Sequence, residues 1–415
     1  MNNPTSDLID SSLVVSRSRR LRMAIILGSL SAFGPLSIDM YLPSLPILTK
    51  DLHTSTSLAQ FSLTACLLGL ALGQLVAGSQ SDIRGRRIPL LIGLVSYTVT
   101  SLLCALSPSI WGLILLRFIQ GLAGAAGMAI SRAIVRDLYS GPEMIKFFSL
   151  LMMINGVGPI FAPIIGGQLL QFTSWRGVFL VLSLVGIIMF LTVFFTLPET
   201  LPLQRRSQAG LKNTLGTFRG LISDRVFMGY ALPQGLVMAA MFAYISGSPF
   251  VIQNIFGASP QMFSILFAIN GIGIIIAGQI TGRLASRIKG TTLFLSGLIL
   301  AAISGISLLV MILIGAGLAA ILPPLFVVVA SVGVVSTAGS SLAMENYGHS
   351  AGSASALLGL FSFVIGAIVA PLVGLGGGNT AVPMGIVIAV TEVGAILSYV
   401  ILKARPRNSR SRSAI

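Results

Sequence analysis

Leu36-Ser37-Ile38-Asp39-Met40-Tyr41-Leu42-Pro43 lies inside the first long apolar run of the chain, over residues 23–48. That run exceeds the roughly 20 residues that cross a hydrocarbon core of about 30 Å at 1.5 Å rise per residue, so it reads as a membrane-spanning helix. Asp39 is the exception within it. An acid at that depth costs several kcal/mol unless it finds a partner, a proton or a water-filled cavity, which makes it a functional-site candidate.

Outward from this stretch the same pattern repeats. Further apolar runs cover 58–80, 88–107, 109–131, 144–170, 175–197, 226–252, 260–283, 291–314, 317–343, 351–375 and 380–402, giving twelve candidate spans in 415 residues. Hydrophobic residues make up 54% of the chain and charged residues 9%, with a mean hydropathy of +0.95, which excludes a soluble globular domain. The runs are continuously apolar and rich in Leu, Ile, Gly and Ala, whereas the strands of a membrane barrel alternate polar and apolar residues. The expected fold class is therefore an all-α membrane protein.

The net charge of +15 is not spread evenly. Basic residues cluster from Arg17 to Arg22, at Arg84, Arg86 and Arg87, at Arg132, Arg136 and Lys146, from Arg205 to Arg225, at Arg283, Arg287 and Lys289, and from Lys403 to Arg412. These are alternate connections plus both tails, while the other connections carry only Lys50 and Arg176. The positive-inside rule then puts both termini in the cytoplasm, with an even number of spans. Nucleic-acid binding would need a basic face with stacking aromatics on a soluble surface, and no such domain is read here. A cleavable signal is disfavoured because the first run is too long and its removal would leave an odd span count. Cys66 and Cys104, the only cysteines, fall inside spans, which argues against a disulfide framework or a thiolate metal site.

The polar connection 198–225 opens with Leu197-Pro198-Glu199-Thr200 and divides the chain into six spans and six. The expected organisation is a cytoplasmic tail over 1–22, a six-helix half over 23–197, the linker 198–225, a second half over 226–402 and a basic tail over 403–415. A trace of duplication survives. Gly73-Gln74-Leu75 ends the second span and Gly278-Gln279-Ile280 ends the eighth, each leading into a short basic turn. Two parallel six-span halves are a transporter plan in which substrate is held at the midplane and the halves rock.

Four segments carry a more specific likeness. Gly78-Ser79-Gln80-Ser81-Asp82-Ile83-Arg84-Gly85-Arg86-Arg87 joins spans two and three, and Arg117-Phe118-Ile119-Gln120-Gly121-Leu122-Ala123-Gly124-Ala125-Ala126 lies in span four. Gly156-Val157-Gly158-Pro159-Ile160-Phe161-Ala162-Pro163-Ile164-Ile165-Gly166-Gly167 lies in span five, and Leu36 to Pro46 in span one. Together, and over nearly the whole chain, they resemble the major facilitator superfamily and, within it, the proton-coupled drug antiporters of the bicyclomycin and chloramphenicol resistance type. Two departures stand out: Ile83 occupies a slot that is usually basic, and Ala162-Pro163 replaces a Gly-Pro pair. The resemblance implies two pseudo-symmetric six-helix halves and a gate or latch at Gly78, Asp82, Gly85, Arg86 and Arg87. It also implies a functional Arg117 with Gln120 and Gly121, an antiporter hinge at Gly158, Pro159, Pro163, Gly166 and Gly167, and an acid position at Asp39.

The residues themselves support a coupling pair. Asp39 lies about 13 Å below the outer end of its span and Arg117 about 12 Å below the start of its own, at 1.5 Å per residue. Contact between them is left open as direct, or through water and Gln120. Desolvation favours a neutral Asp39 and a guanidinium favours the carboxylate, so movement of water, substrate or Arg117 would change proton affinity. Candidate substrate contacts are Tyr41, Asn155, Gln234, Tyr244, Asn270, Phe361 and Phe363, since aromatic faces with sparse polar groups suit amphipathic ligands. Glu392, the other deep acid, is assigned no coupling role, and Glu345 and His349 are read as solvated. The expected function is exchange of inward protons for outward amphipathic drugs, neutral or cationic, by a monomer in a bacterial inner membrane. A nutrient importer or a non-transporting membrane sensor is the alternative. No phosphate loop or His-Glu-x-x-His site is present, so no enzyme, cofactor or metal is expected.

Overall fold

The computed structural model describes residues 17–206, 211–345, 347 and 351–404. The outer parts of both tails and His349 lie outside the described residues. Twelve helices among them are long and apolar enough to cross a membrane, from Arg20–Asp51 to Val382–Leu402, and each falls within a few residues of an expected span.

The first span is a broken rod. Helix α1 (Arg17–Ser31) gives way to α2 (Phe33–Asp39), a tight turn (Leu42–Ser44) and α3 (Leu45–Asp51). The break before α2 follows from Pro35, which has no N–H to offer the carbonyl of Ser31. Pro43 and Pro46 start the turn and α3, where the first N–H groups need no intrahelical partner. Helices α4 (Thr56–Arg84), α5 (Arg87–Leu106), α6 (Ile110–Leu138), α7 (Gly141–Leu169) and α8 (Trp175–Thr196) complete the first group. Ser55, Ser109 and Ser174 cap α4, α6 and α8 by accepting backbone N–H bonds. Because α6 runs on to Leu138, Arg132 and Arg136, read in the sequence as part of a connection, lie on its final turns instead. Arg132 Nη2 there donates to Gln74 Oε1 at 3.1 Å.

The long connection holds an unexpected helix, α9 (Leu211–Ser223), whose Phe218 and Leu221 are buried against Phe227, Leu357 and Leu358. The second group is α10 (Arg225–Phe250), α11 (Pro260–Leu284), α12 (Gly290–Leu313), α13 (Leu318–Met344), α14 (Ala351–Val369) and α15 (Val382–Ala404).

The two groups echo one another in their closest packing. A methyl on Gly121 of α6 would sit 2.2 Å from the carbonyl oxygen of Cys66 on α4, and one on Gly333 of α13 would sit 2.2 Å from that of Ile274 on α11. Small residues let membrane helices meet backbone to backbone, and here they do so between the second and fourth helices of each half. Ile92 and Val99 on α5, Leu184 and Ile188 on α8, Ile303 on α12 and Val390 and Leu397 on α15 are among the apolar side chains that face outward from the bundle.

Candidate transport pathway

Asp39 is the last residue of α2 and is buried, 5% exposed. Among the described residues no cation lies within ion-pair distance of it and no donor reaches it. Its helix packs against α7, α6 and α4 of the same half. Tyr244 accepts a hydrogen bond from Asn270 Nδ2 at 2.9 Å and stacks on Phe267 with ring centres 5.3 Å apart. Tyr244 and Asn270 thus join α10 to α11 within the second half.

Arg117 takes a different environment. It is fully buried in the first half, donates from Nη1 to Gln120 Oε1 at 2.6 Å, and lies over the rings of Tyr41 at 4.9 Å and Phe179 at 5.5 Å. Gln120 Nε2 donates onward to Ser101 Oγ at 2.7 Å, and the Tyr41 hydroxyl pairs with Ser62 Oγ at 3.1 Å. The Asp39–Arg117 link suggested by matching depths is thus not an ion pair in this structure. Depth along a helix carries no azimuth. Met40 and Tyr41 keep helical backbone angles, so residues 39 and 41 point about 200° apart, and Tyr41 rather than Asp39 turns toward Arg117.

The remaining candidate contacts each have a partner of their own. Asn155 Nδ2 donates to Ser31 Oγ at 2.9 Å, tying α7 to α1. Gln234 Nε2 donates to Ser340 Oγ at 3.1 Å, joining α10 to α13. Phe363 rests beside Phe242 with ring centres 5.9 Å apart, while Phe361 packs near Gly235.

The span-five motif sits between the halves. A methyl on Gly158 would meet Pro35 of α2 at 2.8 Å, one on Gly166 would meet the carbonyl oxygen of Met40 at 2.0 Å, and one on Gly167 would meet Ser264 Oγ of α11 at 2.4 Å. Ser264 Oγ donates to the carbonyl of Pro163 at 2.7 Å and Gln261 Nε2 to that of Gly167 at 2.8 Å. Two more bonds cross between the halves nearby: Gln60 Nε2 to Ser246 O at 3.0 Å and Gln253 Nε2 to Pro43 O at 3.2 Å. All four lie toward the ends of the spans opposite the Arg-rich connections.

At the Arg-rich end, the loop motif forms a compact ionic knot. Arg86 Nη1 donates to Asp82 Oδ1 at 2.5 Å and to Ser81 Oγ at 2.9 Å, and its Nε donates to Asp137 Oδ2 at 2.7 Å. Burial works against the Arg86 charge, but the bonds to Asp137 and Asp82 outweigh it and hold its pKa above the ordinary value. Glu199 accepts the backbone N–H groups of Arg86 at 2.8 Å and Arg87 at 3.1 Å, at the start of α5, with those of Thr200 and Leu201. Burial opposes ionisation of Glu199, and these four bonds overcome it and lower its pKa. Gly85 has φ +91, and a methyl there would meet Glu199 Oε2 at 2.4 Å, so both backbone and space require glycine. Gly78 has nothing within 4 Å of such a methyl. Arg87 Nη2 donates to the carbonyl of Phe194 at 2.7 Å. Asp137 and Glu199 are the members that sequence reading missed, although Glu199 opens the linker quoted above.

Glu392 on α15 is fully buried, and neither carboxyl oxygen has a partner among the described residues. Its side chain packs toward Gly305 of α12, with Cγ 3.5 Å from where a methyl on that glycine would sit.

The family model described as Major Facilitator Superfamily matches residues 26–371. The chain is 48% identical over 382 residues to the transporter YdgK of Bacillus subtilis strain 168, covering 92% of this chain and 95% of that one. It is 31% identical over 386 residues to a bicyclomycin resistance protein homolog of Haemophilus influenzae, covering 93% and 97%. Among solved structures, a bacterial homolog of the human lysosomal transporter Spinster, in an inward-facing and unoccupied conformation, superposes with a TM-score of 0.73 at 16% identity, over 94% of this chain and 96% of that one.

Proposed function

The chain belongs to the Major Facilitator Superfamily, and on that premise we propose that it is a proton-coupled antiporter that expels amphipathic drug-like molecules by alternating access. It is a multi-pass bacterial membrane transporter. The observation that carries the finer reading is Asp39: a buried carboxyl with no ionic partner among the described residues, at the end of the helix that packs on α7, which in turn packs on α11 of the other half. Such a group exchanges one positive charge for another, because either a proton or a cationic or hydrogen-bonding substrate relieves its isolation.

In this reading the Arg-rich end is cytoplasmic and the halves 23–197 and 226–402 rock about Asp39. The four inter-half bonds then lie on the outer side, which favours assigning this arrangement to the cytoplasm-facing limb of the cycle. Outward-facing protein takes a proton on Asp39, and inward-facing protein gives it up as substrate binds. A proton crossing with the membrane potential supplies about 2.3 kcal/mol per 100 mV, and each pH unit adds about 1.36 kcal/mol, enough to drive a useful gradient of a neutral substrate. A monovalent cation exchanged for one proton feels the pH term alone. The bicyclomycin resistance name of the Haemophilus relative favours a drug class over a nutrient.

The test is reconstitution in proteoliposomes with an imposed pH gradient and a panel of neutral and cationic lipophilic compounds. Movement of a compound opposite to the proton supports the proposal. Movement with the proton marks an importer, and absence of movement across the panel marks a sensor.

A further inference from the structure

The first turn of α1 and the start of α7 enclose a groove at the Arg-rich end that the transport pathway does not use. Its volume is about 410 Å³, and Leu21, Ala24, Phe147 and Leu150 form its apolar walls. Arg20, Glu143 and Lys146 stand at its rim. Lys146 Nζ donates to Glu143 Oε1 at 3.2 Å, and Arg20 Nη1 lies 3.5 Å from Glu143 Oε2. Among the described residues the rim therefore holds two cations against one anion. It also sits on the first turn of a 29-residue helix, where free N–H groups add partial positive charge.

Glu143 does not use up the donors. A guanidinium has five N–H groups and an ammonium three, and the buried Nε of Arg20 has no partner among the described residues. The apolar walls lead away from this rim onto the membrane face of the bundle. From Lys146 and Leu150 the same stripe of α7 continues through Met153 and Phe161, which are 58% and 56% exposed. On the other wall, Leu21 and Ile25 of α1 are 62% and 61% exposed. A net positive rim above a greasy channel open to lipid matches an amphiphile with an anionic head and acyl tails, and basic pockets between membrane helices take phospholipid headgroups by this chemistry.

We propose that the α1–α7 groove is a binding site for one anionic phospholipid, its phosphate held by Arg20 and Lys146 and an acyl chain laid along Leu21, Phe147 and Leu150. Occupancy bridges α1, which leads into the Asp39 helix, to α7, which carries the Pro159 and Pro163 segment. Glu143 competes with the phosphate for both cations.

The test uses the full chain purified in detergent, with phosphatidylglycerol, phosphatidylcholine or inorganic phosphate added, and counts retained lipid by native mass spectrometry. Wild type is expected to retain one phosphatidylglycerol at least tenfold better than phosphatidylcholine. The double variant R20Q/K146Q should lose that preference, and Glu143→Gln should strengthen it. Thermal melting of each variant without lipid separates misfolding from loss of the site, and R20K/K146R, which keeps both charges, should retain the preference. Equal retention of the two lipids by wild type, an unchanged preference in a folded R20Q/K146Q, or competition by millimolar inorganic phosphate as strong as that by the lipid would overturn the proposal.

Discussion

Gly166→Ala adds a single methyl group at the point where α7 crosses the broken first span. That methyl would stand 2.0 Å from the Met40 carbonyl oxygen, 2.9 Å from its carbon and 3.3 Å from its Cα. To reach even 3.0 Å the two helices must separate by about 1 Å, and both sides of the contact are backbone, so no rotamer change relieves it. Overpacking of this kind costs about 1–3 kcal/mol, and the absence of a yielding side chain puts this site at the upper end. At 1.4 kcal/mol per tenfold, a 2–3 kcal/mol penalty depopulates the packed arrangement of α7 on the first span by roughly 30- to 150-fold. Met40 is the neighbour of Asp39, so efflux should fall with stability. Thermal melting of the purified protein and drug efflux from cells measure the two effects. Gly78→Ala is the control, since nothing lies within 4 Å of its added methyl, and it should melt as wild type. A Gly166→Ala protein that melts and transports like wild type would refute the reasoning.

Three further outcomes are expected. Because the Glu199 pKa is lowered in the folded protein, its contribution to stability is complete above the ordinary glutamate range and disappears as pH falls through the lower folded value. Acid unfolding curves of wild type and Glu199→Gln should therefore differ at neutral pH and converge in strong acid. Arg86→Lys keeps the charge but cannot span Asp82 and Asp137 together, so melting should fall by an amount equivalent to about 1–3 kcal/mol. Glu392→Gln keeps the volume in the α12–α15 contact and should leave substrate-evoked proton release intact, as measured with a pH dye in weakly buffered detergent solution.

The spans and their twofold arrangement were readable because lipid allows only self-satisfied helices, and a continuous apolar run signals one without any knowledge of its neighbours. The break in the first span was visible in principle from Pro35, Pro43 and Pro46, yet hydropathy alone drew it as one rod. Helix α9 escaped notice because its apolar face is short and lies in a polar connection. At the site, Asp39 and Arg117 announced themselves as ionisable groups in the wrong solvent. Their separation into two environments did not, because it depends on a 200° turn between residues 39 and 41 and on which neighbour each side faces. Arg86 was legible as a motif member, but its partner Asp137 and the nearby Glu199 lie 51 and 113 residues away, a proximity only the fold creates.

The direct test of the account is proton release on adding a transported compound to purified wild type and Asp39→Asn. Wild type should acidify a weakly buffered solution in proportion to bound compound, and the folded Asn variant should release no proton at any concentration. Equal release from both proteins would remove Asp39 from the exchange and contradict the account.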